Sequence, residues 1–278
     1  MASSGKINFS RQGQGCVAGL AVAAKELFDA FSKNPSRVDA AIYQAARFRQ
    51  IIDDIDGMGV LAGEGGGEDV PAEDAARTGL LLYVDPYGAV SSIDLKTAAT
   101  VHLAGGLPFV ISGAGTTLAN LLSEVPSWRG GLGMNGLVVQ FVGIDPSHWA
   151  PSLAEPLLEI NLLQAAAMQL LNGVMNAFGK PAVVISQGFG CWVANRALLL
   201  LSAEQVWHAR NLQFDALGPP ESMVALTSAK KDGFGTICHV QSSAARSLLH
   251  DQFGLSETTL AALPVDLQVN SGCPRNHV

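Results

Sequence analysis

The feature that most constrains the fold is an alternation of short apolar segments with longer helical ones from residue 80 onward. The segment GLVVQFVGID (136–145) is apolar almost throughout, which is typical of a strand buried on both faces of a parallel sheet. An amphipathic helix is predicted over 152–178, followed by the strand AVVIS and a helix over 191–201. Other predicted strands are LLLYV, VSSIDL, TVHLAGG, LPFVI, LQFDAL and TICHVQ. This order predicts an α/β fold with a mostly parallel sheet flanked by helices.

Two helical segments precede this alternation. Apolar residues recur with helical period over 16–33, and Ser36 is placed to cap a second helix that reaches Asp56. We expect the two to form a helical hairpin that packs on the rest of the chain. A segment rich in glycine and acidic residues, 63–74, follows them and is typical of a surface loop. The predicted organisation is therefore a hairpin and loop in residues 1–77 and an α/β domain in residues 78–278.

The charge of the chain argues against nucleic acid as a partner. The formal net charge is −7, and Lys and Arg together number only 17, whereas phosphate binding needs a basic patch. The most apolar stretch, 165–174, is interrupted by Gln169 and Asn172, so no membrane span is predicted. The N-terminal stretch MASSGKINFSRQGQG has no cleavable signal pattern, because Lys25 and Glu26 interrupt the apolar residues after Cys16. We expect a cytoplasmic protein, or one exported by a route that reads no signal peptide.

The four cysteines indicate neither a metal site nor a disulfide framework. They lie at Cys16, Cys191, Cys238 and Cys273, and none forms a CxxC or Cys/His pair with zinc-ligand spacing. The acidic loop GEGGGEDVPAED lacks the spacing of a calcium loop. We therefore expect buried thiols, no bound metal and no cofactor.

The stretch SQGFG (186–190) joins a predicted buried strand to a predicted helix. A nucleophile elbow has a nucleophile at the apex of such a turn, with small residues two positions before and after it. Here Ser186 and Gly190 are the small residues, and Gly188 occupies the apex. Sliding the frame so that Ser186 becomes the apex would put Val184 at the first small position, which fits poorly.

The order VVQFVGID, long helix, KPAVVISQGFGCWVA, LQFDALGPP, TICHVQ and a late histidine resembles α/β-hydrolases of the lipase class 3 type and their bacterial lipase-like relatives. The resemblance extends over residues 136–278. It implies an α/β-hydrolase-like fold and a serine hydrolase of the lipase or esterase type, acting on acyl esters or similar lipid-like small molecules. It puts Gly188 at the nucleophile position, where no nucleophile is present.

The resemblance also implies a base and an acid. The histidine near the end is His277, with His239 and His250 as competitors. The stretch after TICHVQ contains no carboxylate at the matching position, so Asp251 and Asp215 are the alternatives for the acid.

The expected oxyanion donors are backbone amides, which do not depend on side-chain identity. One is the N–H of Phe189, and the other comes from the turn after VVQFVG, near Ile144. Gln187, beside the apex, and His148, after the 136–145 strand, are expected at the rim of the pocket, at the sheet edge where α/β proteins bind ligands.

Several alternatives remain open at this level. Gly188 is either a natural loss of the serine or a replacement of it. The scaffold could instead serve a binding or assembly role with a protein partner, and Cys191 could act as a nucleophile at a helix start. The stretch SGAGTT, with Gly113 and Gly115, could seat a phosphate, although it lacks a full nucleotide-binding motif.

Overall fold

A computed structural model of the chain describes residues 8–33, 42–63, 79–113, 119–121, 136–142, 151–180, 182–214 and 236–240. Within them the helices are α1 (Arg11–Lys33), α2 (Ala46–Gly63), α3 (Leu95–Gly105), α4 (Pro151–Ala177), α5 (Gly190–Leu199) and α6 (Ala203–Val206). The strands are β1 (Leu80–Val84), β2 (Val90–Ile93), β3 (Phe109–Ile111), β4 (Leu137–Phe141), β5 (Val184–Gln187), β6 (Arg210–Phe214) and β7 (Thr236–Val240). The chain is therefore a mixed α/β protein.

The described strands form one seven-stranded sheet in the order β2-β1-β4-β3-β5-β6-β7. β1 runs antiparallel to both of its neighbours, β2 and β4, while the other five strands, β4, β3, β5, β6 and β7, run parallel to one another. In the middle of the sheet Ile111 pairs with Gln140 on one side and Ser186 on the other. The prediction of an α/β fold with a mostly parallel sheet is confirmed.

The two faces of the sheet carry separate apolar cores. One face, the helix face, packs Phe109, Val138 and Val184 in a single cluster with buried residues of α1 to α5. The opposite face contains a second cluster, which brings together strand residues and one residue of the short helical segment 119–121. Its buried members are Leu82, Val84, Val110, Leu121, Leu137, Val139, Phe141 and Ile185. α4 and α5 thus lie on the same side of the sheet.

α4 contacts the sheet through amide side chains as well as aliphatic ones. Asn161 accepts a hydrogen bond from Gln140 of β4, with 3.0 Å between Oδ1 and Nε2. Gln169 donates to Asn211 of β6 at 2.5 Å. Asn172 bonds both backbone groups of the first residue of β6. The polar residues that interrupt the apolar stripe in the sequence are therefore the contacts that align this helix with the strands.

α1 is attached to α4 through one carboxylate. Both oxygens of Glu159 accept from the Ser10 N–H at 3.1 Å, and the Ser10 hydroxyl donates to Oε1 at 2.6 Å. Ser10 in turn caps α1, because its Oγ accepts from the Gly13 N–H at 3.0 Å. A Cβ at Gly13 would overlap the Glu159 carboxylate in this position, so a larger residue there would displace the carboxylate from the Ser10 N–H. A carboxylate at this end of a helix is stabilised by the helix dipole.

α1 also packs against α2, and both contact α4. Residues 34–41 of the segment that joins α1 to α2, which include the predicted cap Ser36, lie outside the described part of the chain, as does the 63–74 loop apart from Gly63. The hairpin and the division at residues 77 and 78 therefore stay predictions.

One predicted strand is wrong, and several boundaries move. TVHLAGG lies in α3, where Asp94 caps the first turn by accepting from the Thr97 N–H at 2.7 Å and Gly106 ends the helix in a left-handed conformation. α1 begins five residues earlier than predicted, because Ser10 provides its cap. α2 extends to Gly63, beyond the predicted end at Asp56. Among the described residues, no helix is long and apolar enough to cross a membrane.

Candidate functional site

The strand order creates a topological switch point between β3 and β5. The chain leaves β3 toward β4 on one side and leaves β5 toward β6 on the other, so the carboxyl ends of β3 and β5 lie side by side with their connections diverging. Open α/β sheets bind ligands at the crevice that such a divergence leaves. The turn after β5 and the turn after β3 are therefore the candidate site.

The turn after β5 is built on Gly188. Its φ of 54° lies in the left-handed region, which glycine adopts without strain. Its N–H donates to the Phe214 carbonyl of β6 at 2.9 Å, and its carbonyl accepts from the Cys191 N–H at 3.2 Å in the first turn of α5. The chain thus passes from strand to helix in two residues, as a nucleophile elbow does.

Gly190 brings this turn against the end of β3. A Cβ at Gly190 would lie 2.5 Å from the Ile111 carbonyl oxygen and closer still to that of Ser112. Both atoms are backbone, so neither can move aside as a flexible side chain could. The small residue two positions after the apex is required because the first turn of α5 rests directly on β3.

The turn after β3 begins at Ser112 and Gly113. The Ser112 N–H donates to the Gln140 carbonyl of β4 at 3.0 Å, and the Ser112 hydroxyl accepts from the Val142 N–H at 3.2 Å. On the other side, Gly113 lies beside β5, where a Cβ would be 3.5 Å from the Gln187 carbonyl oxygen. The end of β3 therefore touches both β4 and the Gly188 turn.

The side chains next to Gly188 form packing, not a reactive group. Phe189 is buried and stacks on Trp192, with ring centroids 5.0 Å apart. Cys191 is fully buried, and its thiol donates to the Phe214 carbonyl at 3.5 Å between Sγ and O. A buried thiol held by a carbonyl has no route to a substrate, so the geometry disfavours the Cys191 alternative.

The structure brings together three of the sequence-predicted site residues. Gln187, Gly188 and Phe189 are consecutive in the β5–α5 turn, with Gln187 half-buried. His277, Asp251, Asp215, Ile144, His148 and Gly115 lie outside the described residues, as does the competing His250. Their predicted roles stay predictions.

His239, the remaining competitor for the base, lies in β7 and pairs in register with Gln213 of β6. Among the described residues, no group of three or more His, Cys, Asp or Glu side chains could hold a metal ion.

The groups with altered pKa lie outside the two turns. His102 in α3 is completely buried, with Nδ1 against the Leu107 carbonyl, and burial lowers its pKa to about 4. Burial raises the pKa of Asp56, and of Cys16 to about 11, while it lowers the pKa of Arg196 in α5. The described residues of the two turns, 112–113 and 187–190, include no ionisable side chain, and their polar groups are the backbone, the Ser112 hydroxyl and the Gln187 amide.

Ser112 and Gly113 are the contributors that the sequence-based interpretation misplaced. Their segment, SGAGTT, suggested a phosphate loop, because a strand followed by glycines is common to both kinds of site. The signal that could have placed them is the strand order, which a single sequence does not contain. A comparison of the chain with protein-family models, curated proteins and solved structures finds no match in any of the three.

Proposed function

We propose that this chain has the scaffold of an acyl-ester hydrolase of the lipase or esterase type, with Gly188 at the nucleophile position. In its present form it binds a carbonyl or acyl ligand at the switch point without covalent catalysis. The observation that carries the proposal is the turn itself: a left-handed residue directly after β5, followed two positions later by Gly190, which no larger residue can replace. Enzymes with the α/β-hydrolase fold expose their serine on such a turn.

The arrangement of the sheet supports the proposal independently. Enzymes with the α/β-hydrolase fold build the oxyanion hole from the N–H after the nucleophile and an N–H from the loop after a neighbouring strand. Phe189 supplies the first candidate amide. In the β3–β5 ladder the Phe109 N–H donates to the Val183 carbonyl at 3.1 Å. Alternate residues of a strand direct their N–H groups to the same neighbour, so the N–H of Gly113, four residues after Phe109, is also directed toward β5. No hydrogen bond joins the Gly113 N–H to another described residue, and we propose this N–H as the second donor.

Ile144 remains the donor that the sequence suggests. Ile144 follows β4, which β3 separates from β5. Gly113 follows β3, which is adjacent to β5, so Gly113 is nearer to Gly188 in the strand order. The two candidates can be distinguished by altering the β3 turn. Such a change should weaken ligand binding if Gly113 is the donor and should not if the donor lies near Ile144.

The chemistry of the site follows from the missing side chain. Glycine cannot attack a carbonyl carbon, so two amide donors at this position would polarise a bound carbonyl or hold a carboxylate without forming an acyl-enzyme. With serine at position 188, His277 would act as the base and Asp251 or Asp215 would orient it. The reaction would then be acyl-ester hydrolysis through a serine, histidine and acid relay.

The test is to supply the missing hydroxyl. Gly188→Ser should release p-nitrophenol from p-nitrophenyl butyrate, whereas the unaltered chain and Gly188→Ala should stay at background. Both substitutions impose a left-handed side-chain residue, at a cost of about 1 to 2 kcal/mol, so they are matched for strain. A fluorophosphonate should add to Gly188→Ser alone, with the mass increase on residue 188.

His277→Ala in the Gly188→Ser background should abolish that activity if His277 is the base. A folded Gly188→Ser protein that stays at background from acetyl to long-chain esters, between pH 6 and 9, would count against the proposal.

The ligand-binding form of the proposal has its own measurement. Octanoate should bind the unaltered chain in a calorimetric titration, and Gly113→Pro, which removes the N–H, should weaken that binding about tenfold, the loss of one hydrogen bond to a charged group. A protein partner on a non-catalytic scaffold, the alternative left open by the sequence, predicts instead that octanoate does not bind.

A further inference from the structure

We infer that Ser112 is a positioning residue of the switch point: its hydroxyl replaces its own carbonyl in the β3–β4 ladder and so releases the end of β3 toward α5. The inference rests on the proposed function in one respect only, namely that the turn so positioned belongs to a binding site. The ladder itself can be tested without any activity.

The hydrogen bonds of the β3–β4 ladder show the substitution. In a parallel ladder, one strand offers N–H and C=O alternately to the same neighbour. The Val138 N–H donates to the Pro108 carbonyl and the Ser112 N–H donates to the Gln140 carbonyl, each at 3.0 Å. Continuing this pattern, the Val142 N–H would donate to the Ser112 carbonyl. It donates instead to the Ser112 Oγ, at 3.2 Å.

The carbonyl that leaves the ladder has a defined place. The carbonyl oxygens of Ser112 and Ile111 both lie within 2.5 Å of the position that a Cβ of Gly190 would take. The end of β3 has therefore turned from β4 toward the first turn of α5, while the hydroxyl keeps the Val142 amide satisfied. Serine side chains compete with backbone groups in this way because their oxygen lies close to their own main chain.

The other backbone group of Val142 is also held by a side chain. The Val142 carbonyl accepts from Nδ2 of Asn161 in α4 at 3.5 Å. Ser112, Val142 and Asn161 are all buried. Val142, the residue directly after β4, is thus held by the side chains of Ser112 and Asn161 and not by backbone bonds of the ladder. In the sequence, the predicted pocket residues Ile144 and His148 follow directly.

The experiment compares substitutions that remove, keep and mimic the hydroxyl. Ser112→Ala should raise the amide exchange rate of Val142, followed by NMR, about tenfold, because one buried hydrogen bond is lost. Ser112→Thr keeps a hydroxyl and should restore the slow exchange. Ser186→Ala is the matched control, since Ser186 is equally buried in the neighbouring strand and its Oγ makes no hydrogen bond in the described structure. If the alanine variant does not fold, Ser112→Cys provides a similar volume with a weaker acceptor.

The same variants in the Gly188→Ser background test the positioning role. Ser112→Ala should lower kcat for p-nitrophenyl butyrate about tenfold with KM unchanged, and Ser112→Thr should recover it.

An unaltered Val142 exchange rate in Ser112→Ala would overturn the inference, whatever the activity. Faster exchange with an unchanged kcat would overturn the positioning role. Should Gly188→Ser prove inactive, the proposed function fails by itself. The resonances of Gly188 and Gly190 then decide the inference, since they should shift in Ser112→Ala and return in Ser112→Thr, and unshifted resonances would refute it.

Discussion

The two faces of the sheet solve the same packing problem with different chemistry. On the opposite face, the buried strand residues that the structure describes are all apolar, among them Val110, Val139 and Ile185. On the helix face, the strands present Gln140 and Asn211 to amide partners in α4, and Gln213 to Asn195 in α5. The helix face is therefore partly a hydrogen-bonded interface.

The difference matters because the two kinds of contact specify different things. Apolar burial stabilises in proportion to area and tolerates small displacements. A buried amide pair is satisfied in one alignment only, and a shifted alignment would leave polar atoms unpaired in a medium of low dielectric constant. We infer that the amides fix how α4 and α5 are aligned with the strands, and hence where the Gly188 turn lies.

The largest expected loss of stability comes from a substitution on the helix face where α5 and β3 are in closest backbone contact, at Gly190. Gly190→Ala should lower the free energy of unfolding by about 3 kcal/mol, because the new methyl group meets backbone oxygens of β3. Gly113→Ala is the control, since its Cβ would be 3.5 Å from the nearest described atom and should cost under about 1 kcal/mol. Urea unfolding measures both, and equal costs would show that the close approach at Gly190 is not rigid.

The stability of the folded chain should depend on pH through His102, which is buried in α3 on the helix face. The pKa of His102 is about 4 in the folded chain, below its ordinary value, so the unfolded chain binds the proton first as the pH falls. The stability is complete above about pH 6.5 and falls by about 2 kcal/mol by pH 5. Urea midpoints measured from pH 7 to pH 5 should show this loss, and His102→Gln should flatten it. A loss that persists in His102→Gln would assign it to other groups.

A single amide deletion should be worse than a double one. Gln169→Leu leaves Asn211 unpaired and should cost about 1.5 kcal/mol, whereas Gln169→Leu with Asn211→Leu should recover most of that loss. A double-mutant cycle from urea unfolding gives the coupling between the two positions. Additive losses would mean that the amides do not act as a pair.

The smallest effect on stability should come from removing a buried hydroxyl that has no hydrogen-bond partner among the described residues. Ser186→Ala removes a buried hydroxyl whose Oγ has no described hydrogen-bond partner, so the free energy of unfolding should stay within about 0.5 kcal/mol or rise slightly. A clear loss of stability, measured by thermal unfolding, would reveal a partner for this hydroxyl.

The local pattern of the sequence predicts much of the fold. The sequence predicts β4 and α4 closely because each is a continuous run with one period. TVHLAGG has the β-branched residues of a strand, but the Asp94 cap makes it part of a helix. The strand order and the amide pairs could not be predicted, since they join residues far apart in the chain. In the sequence, Gln169 and Asn172 are recognisable only as polar residues within an apolar stretch, and their partners in β6 cannot be predicted from it.

The same division holds for the candidate site. The apex at Gly188 and its neighbours Gln187 and Phe189 follow from five consecutive residues. The contribution of Ser112 depends on three contacts with β4 and α5, and nothing in the local sequence distinguishes it from an ordinary serine after a strand.

The attachment of α1 through Glu159 has a consequence for how the chain is made. Ser10 and its carboxylate partner are separated by 149 residues, so α1 leaves the ribosome long before the surface on which it finally rests. During synthesis at about 5 to 20 residues per second, its apolar stripe waits for many seconds with only α2 to shield it. α1 is therefore among the elements that complete their native contacts late, because its partner in α4 is synthesised 149 residues after Ser10.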